Sequence, residues 1–143
     1  DEVMKRILTI ALIVLGVAGV LWVASAWSLR RGDEKIAKFH SDCDNLILGI
    51  QQYKEFVGTY PTGNNVSIAK ALLGQTEKKV LILAVRRSDL NDKGEILDPW
   101  GTPLQFYFSH NEVMIRSAGP NRVWEDSATA STDDLYRCAG KEK

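Results

Sequence analysis

A run of oxygen-bearing side chains near the C-terminus could bind a hard metal ion. Its members are Asn121, Asp126, Ser127, Asp133 and Asp134. Calcium takes roughly six to eight oxygen ligands, and backbone carbonyl groups can supply part of the set. By composition alone the segment is a solvated acidic loop, and calcium binding is a hypothesis about it.

The chain has two cysteines, Cys43 and Cys138. A disulfide between them would tie the C-terminal segment to an N-terminal helix. It would close a loop of about 95 residues, which is worth about 4 kcal/mol in the chain-entropy model. We predict this bridge for an oxidising compartment. The alternative is a buried free thiol at Cys43 and an exposed one at Cys138.

The sequence contains no catalytic constellation. Its two histidines, His40 and His110, are far apart, and it lacks HExxH, Gly-x-Ser-x-Gly and a phosphate-binding glycine loop. The 18 Lys and Arg balance the 18 Asp and Glu, so the net charge is zero. Nucleic-acid binding relies on clustered positive charge. We therefore expect neither an enzyme nor a nucleic-acid-binding protein.

An uncharged run extends from Ile7 to Leu29. A bilayer core needs roughly 20 apolar residues in a helix, and Trp22 and Trp27 lie near one end, where aromatic belts form. Three interpretations are open. The run is a transmembrane anchor, a secretory signal peptide with small residues at 24–26, or a hydrophobic helix buried among copies of itself.

The segment after this run has a helical stripe. Apolar or aromatic side chains recur at alternating steps of three and four residues, at Ile36, Phe39, Cys43, Leu46, Ile50, Tyr53 and Val57. Such a stripe packs on a sheet or another helix. No proline precedes Pro61, so the run and the stripe can form one long helix. The alternative is two helices with a hinge at residues 31–32.

Shorter elements are predicted after Pro61. Residues 67–73 are a candidate helix, and 79–86 are a strand or a buried connector. Residues 104–108 and 113–116 are predicted to be two strands joined by a hairpin turn, and 119–134 are predicted to form a loop. The predicted class is α+β, with a long N-terminal helix, hydrophobic and then amphipathic, packed on a small antiparallel sheet with a loop-rich C-terminus. We expect a hydrophobic helix over 1–32 and a globular domain over 33–143.

The sequence DPWGTP at residues 98–103 is dense in turn chemistry. Asp98 can accept backbone N–H bonds, Pro99 fixes one φ angle, and Gly101 can adopt a positive φ. Trp100 is a large apolar anchor. A turn this constrained sets the entry into the strand at Leu104.

Three motifs now occur in order: QQYKEFVGTYPTG at the helix end, DPWGTP, and SAGPN with a closing DDLY. Together they resemble the major pseudopilin of the type II secretion system, a member of the type IV pilin-like family. The resemblance rests on residues 53–61, 98–103 and 117–134, and covers roughly 33–137. It implies a long N-terminal helix followed by a small antiparallel sheet.

The resemblance implies a structural subunit of a helical filament that polymerises through the hydrophobic helix. That helix would lie in the inner membrane before assembly, with the globular domain outside the cytoplasm. The filament would be periplasmic or extracellular, and secretion or pilus assembly machinery would be a partner. The alternative is a monomeric, membrane-anchored binding module, and a third option is a soluble domain released after Ala26.

The resemblance also implies calcium, which the family binds in this loop through side chains and carbonyl groups. Carried over by position, the ligands are Asn121, Asp133, Asp134 and, as an added candidate, Asp126, with the carbonyls of Ala118 and Val123. Two departures bear on the site. Arg122 replaces an expected glycine, and Asn121 replaces an aspartate, which should weaken binding.

The N-terminus departs as well. Pilin-like chains carry a glutamate at position five of the mature protein, where this sequence has Lys5. We hypothesise that Asp1 or Glu2 pairs instead with Lys5, Arg6 or the terminal amine of a neighbouring subunit. The predicted assembly residues are Asp1, Glu2, Lys5, Arg6, Gly16, Val20 and Trp22.

Overall fold

A computed structural model describes residues 1–82, 84–110, 112–125 and 133–140. The helices are α1 (Glu2–Val57) and α2 (Asn65–Leu72), followed by a short 3-10 helix (Arg87–Asp89). The strands β1 (Gln105–Ser109), β2 (Glu112–Ser117) and β3 (Leu135–Gly140) form one antiparallel sheet in the order β1-β2-β3. The predicted α+β class, with a long N-terminal helix and a small antiparallel sheet, is confirmed.

The chain divides into two units, Asp1–Lys35 and Ile36–Lys143. In the first unit every residue from 1 to 31 is exposed to solvent. Helix α1 includes Arg31 and Gly32, where the alternative prediction placed a hinge.

The core of the second unit forms around the predicted stripe of α1. Its buried members are Phe39, Cys43, Leu46, Ile50 and Tyr53, while Ile36 and Val57 are partly buried against the same core. Side chains from α2 and the sheet complete the core, among them Ile68, Leu72, Val113 and Ile115. The three-and-four spacing therefore identified the face of α1 that the domain covers.

Gly49 allows α1 to approach the segment that follows α2. A Cβ atom at this position would lie 2.3 Å from the Cβ of Ala84 and 3.0 Å from Cγ2 of Ile82. Ile82 and Val85 are buried. The described residues of 79–86 form a connector that buries Ile82 and Val85 and leaves Leu81 exposed, and none of them belongs to a strand; Leu83 lies outside the described residues.

The sheet has an inner and an outer face, because successive side chains of a strand point to opposite sides. Val113 and Ile115 are buried on the inner face, and the register pairs them with Ala139 and Arg137. The outer face carries the alternate residues, including Met114, which the register pairs with Tyr107 and Cys138.

This alternation separates the two cysteines. Cys43 is buried in the core on the inner side, whereas Cys138 is exposed on the outer face, and both thiols are free. The predicted disulfide is therefore not formed, and the alternative of two free thiols describes the structure. Burial raises the pKa of the Cys43 thiol to about 12, and the nearby charges of Asp42 and Asp44 add to the shift.

Candidate metal site at the end of the sheet

Asp98 anchors the DPWGTP turn and connects it to the sheet. This carboxylate is buried, and its Oδ1 accepts the backbone N–H groups of Trp100 at 2.9 Å and Thr102 at 2.8 Å. Its Oδ2 accepts the Ser117 hydroxyl at 2.6 Å. One carboxylate thus closes the turn, as the sequence predicted, and also holds the last residue of β2.

The contact with Ser117 continues into the loop after β2. The Ser117 Oγ atom accepts the N–H of Gly119 at 3.0 Å. Gly119 has φ of +67°, and a Cβ there would lie 2.1 Å from the carbonyl oxygen of Asp133. A glycine is required by both the conformation and the space. The loop after β2 and the residues before β3 are therefore in direct backbone contact.

Three carboxylates converge where these two segments meet. One side-chain oxygen each from Glu125, Asp133 and Asp134 lies within 4.8 Å of the others. The N–H of Asp133 donates to Oε2 of Glu125 at 3.0 Å, and the N–H of Asn121 donates to Oδ2 of Asp133 at 3.0 Å. We call these three residues the acidic cluster.

Two oxygens of the acidic cluster are buried without a hydrogen-bond donor among the described residues: Oδ1 of Asp133 and Oδ1 of Asp134. The side chain of Asp134 is fully buried. A buried carboxylate oxygen without a donor is costly, because it has lost its water and gained no partner. A cation that contacted either oxygen would supply the missing partner.

The geometry and charge of the acidic cluster fit calcium. Two oxygens that share one calcium ion at about 2.4 Å lie at most about 4.8 Å apart, and the three carboxylates meet this limit. Their oxygens are hard ligands, and three carboxylates carry more negative charge than Arg116, which contacts Asp134, offsets. These residues could therefore supply part of a calcium coordination shell.

Arg116 extends from the outer face of β2 into the acidic cluster. Its Nε and Nη2 atoms lie 2.7 Å and 2.5 Å from Oδ2 of Asp134. Nη2 also donates to the backbone carbonyl of Glu125 at 2.8 Å. The guanidinium carbon lies 5.1 Å from the ring centre of Trp124 and 5.6 Å from that of Tyr136. Arg116 is thus buried, paired with a carboxylate and flanked by aromatic rings.

The structure brings together part of the predicted ligand set. Asp133 and Asp134 lie in the acidic cluster, and Asp126 lies outside the described residues. The Oδ1 atom of Asn121 accepts the N–H of Val123 at 2.7 Å, and its Nδ2 donates to Oε1 of Glu125 at 3.2 Å, so this side chain orders the loop. Ala118 is buried and Val123 is exposed, and the prediction that their carbonyl groups are ligands stays a prediction.

Glu125 and Arg116 contribute to this site but were not predicted from the sequence. Glu125 could have been found as the acid next to Asp126, eight positions before Asp133. Arg116 could not, because an arginine on a strand is ordinarily solvated, and nothing in the spacing places it next to Asp134.

The predicted assembly residues all lie in the first unit and are exposed. Glu2 and Arg6 form an exposed i,i+4 ion pair of 4.0 Å within the chain. A Cβ atom added at Gly16 would meet no other atom within 4 Å, and Val20 and Trp22 are large exposed apolar residues.

Helix α1 is long and apolar enough near its N-terminus to cross a membrane, and none of this apolar window is buried within the part of the chain that the structure describes. Comparisons with protein-family models, with curated proteins and with solved structures found no match to this chain. The combination of a long N-terminal apolar helix with a small antiparallel sheet is compatible with a pilin-like fold.

Proposed function

We propose that this protein is a structural subunit of a pilin- or pseudopilin-like helical filament, and that it polymerises through its hydrophobic helix, residues 1–32. The observation that carries the proposal is that every residue from 1 to 31 is exposed. The large apolar side chains of this helix are all more than half exposed, from 51% at Val23 to 74% at Trp22. Burying one such side chain is worth roughly 1.5–3 kcal/mol. Burial of these side chains against lipid or other subunits is therefore strongly favoured.

On assembly, contacts of the hydrophobic helix with lipid would be replaced by contacts with the helices of other subunits. Before assembly the inner membrane would surround the helix, with the globular domain outside the cytoplasm. In the filament the same side chains would pack against copies of the helix. A Cβ atom added at Gly16 or Gly19 would meet nothing within 4 Å, and small residues of this kind let helices approach closely in lipid.

Calcium binding at the acidic cluster is the second part of the proposal. The cation would join the loop after β2 to the residues that precede β3, since Glu125 lies on one side and Asp133 and Asp134 lie on the other. The buried Oδ1 atoms of the two aspartates support it, because each lacks a donor among the described residues.

The alternative function is a monomeric, membrane-anchored module that presents the globular domain outside the cytoplasm. Lipid alone would then cover the helix. The two functions differ in whether helices of neighbouring chains touch.

A charged residue placed in the hydrophobic helix tests assembly without disturbing the folding of the domain. We expect Val20→Asp to abolish filaments seen by electron microscopy of purified material. The matched control is Ala37→Asp, which adds the same charge to an exposed position of α1 in the second unit. Proteolysis should show a resistant globular domain in both variants. Intact Val20→Asp filaments would refute the assembly role, and wild-type chains that stay monomeric in membranes would favour the anchored module.

A further inference from the structure

A cavity of about 260 Å³ lies between α2 and the turn that follows the 3-10 helix. Val66, Ala69 and Leu73 line it from α2 and its C-cap, at steps of three and four residues that place them on one face of the helix. Leu90 lines it from the turn segment. Ala69 is buried and the other three side chains are half-buried, so the interior of the cavity is apolar.

Backbone hydrogen bonds fix the shape of the turn beside this cavity. The N–H of Leu90 donates to the carbonyl of Arg87 at 3.3 Å, and the N–H of Gly94 donates to that of Asn91 at 2.9 Å. A Cβ atom at Gly94 would lie 3.7 Å from Cγ1 of Val66, which is ordinary van der Waals contact. The turn therefore lies directly against α2, and both walls of the cavity belong to ordered backbone.

Two basic side chains line the same cavity, Lys70 from α2 and Arg87 from the 3-10 helix, and both are exposed. Neither forms an ion pair with a carboxylate in the part of the chain that the structure describes. The described residues that line the cavity include no acid. The open side of the cavity thus carries two positive charges, next to an apolar interior.

These features fit a ligand with an anionic group at one end and a short apolar chain at the other. Since one water molecule takes up roughly 30 Å³ in the liquid, the cavity has space for about nine non-hydrogen atoms of similar size. An arginine fork matches the geometry of a carboxylate, and a lysine adds a second positive charge.

We propose that this cavity binds an aliphatic monocarboxylate of about six carbons. Its chain packs against Val66, Leu73 and Leu90, and its carboxylate lies between Lys70 and Arg87. The cavity is separate from the hydrophobic helix and from the acidic cluster, so this binding depends neither on filament assembly nor on calcium.

The experiment is a titration of the full chain with sodium hexanoate in nonionic detergent micelles, followed by NMR of the leucine and valine methyl groups. The signals of Val66, Leu73 and Leu90 should shift and saturate with a Kd on the order of 1 mM, because a ligand of about eight non-hydrogen atoms binds weakly. Unchanged signals at these three residues would overturn the proposal. Shifts confined to the hydrophobic helix, for example at Leu12 and Leu15, would do the same, since hexanoate would then have entered only the micelle.

Substitutions test the role of the two cations. Arg87→Gln and Lys70→Gln should each weaken hexanoate binding about 10-fold, because each removes a charged hydrogen-bond donor. Both positions are exposed, so the fold should be retained. Lys78→Gln is the matched control: it removes the same charge from an exposed residue that does not line the cavity, and Kd should change less than about twofold. An unchanged Kd in Arg87→Gln or Lys70→Gln, or an equal loss in Lys78→Gln, would contradict the proposed pairing.

Two related ligands test the two halves of the site separately. Acetate retains the charge and lacks the chain, whereas hexanamide retains the chain and lacks the charge. Each should bind at least about 10-fold more weakly than hexanoate. Acetate that bound as tightly as hexanoate would show that the apolar interior is not used. Hexanamide that did so would show that the cations are not used, and either result would refute the site.

Discussion

Two stretches of helix α1 differ in how their apolar side chains are covered. In residues 1–31 hydrophobic side chains occur all around the helix, and every residue is exposed. Between Phe39 and Tyr53 they follow a three-and-four spacing, and that face is buried by the domain. A single apolar stripe needs burial on one face of the helix only, and the domain of the same chain can provide it. A helix that is apolar on all sides needs burial on every face, which requires lipid or other subunits.

The largest expected effect comes from one residue type placed in both stretches. Ile50 is fully buried and Ile13 is 60% exposed. Ile50→Ala should lower the free energy of unfolding of the domain by about 2–5 kcal/mol, since it leaves a cavity in a packed core. Ile13→Ala should leave it unchanged. Chemical denaturation of both variants in detergent checks this, and equal losses would contradict the comparison.

A smaller effect distinguishes the two stretches through their glycines. Gly49→Ala should cost about 1–3 kcal/mol of domain stability, because its methyl group would collide with Ala84 and Ile82. Gly16→Ala has open space within the chain and should not change the domain. It should instead weaken assembly if helices approach closely there. The same denaturation assay, read alongside filament yield, tests both statements. A domain that tolerates Gly49→Ala would show that α1 and the connector are packed more loosely.

The smallest expected effect is a pH dependence of stability, which reports how well water is excluded from the buried stretch of α1 around Cys43. The folded-state pKa of Cys43 is raised from 9.0 to about 12. Between these values the unfolded chain loses the thiol proton while the folded chain retains it, so stability is complete below pH 9 and falls as the pH rises. The loss should reach about 1 kcal/mol at pH 10.

Cys43→Ala should remove this contribution to the loss of stability at alkaline pH, whereas Cys138→Ala, at an exposed position, should retain it. Denaturation curves at pH 8 and pH 10 give the difference. A thiol reagent added at pH 8 should label Cys138 in the folded chain and both cysteines after unfolding. Rapid labelling of Cys43 in the folded chain would mean that water reaches the stripe.

The sequence predicted those features that follow from local periodicity and turn chemistry. The spacing from Ile36 to Val57 identified the buried face, because helix geometry alone maps spacing onto a face. Asp98 was predicted to accept backbone N–H groups within its own turn. Its hydrogen bond with Ser117 was not predicted, since it joins residues that only the folded sheet brings together.

Strand β3 and the contact of Arg116 with the acidic cluster were missed for related reasons. LYRCAG does not alternate cleanly, because the register places Arg137 next to Ile115 on the inner side, where it reaches Asp44 at 2.7 Å. Without β3, the sequence did not indicate that Cys43 and Cys138 lie on opposite sides of the sheet, and a disulfide was predicted instead. The partnership of Arg116 with Asp134 depends on the same strand pairing.

The most direct test of the central claim is electron cryomicroscopy of the assembled wild-type protein. The proposed function predicts a helical filament in which residues 1–32 of neighbouring chains pack against one another at the core, with the domains 36–143 outside. Single chains whose hydrophobic helix is surrounded only by lipid or detergent would contradict it.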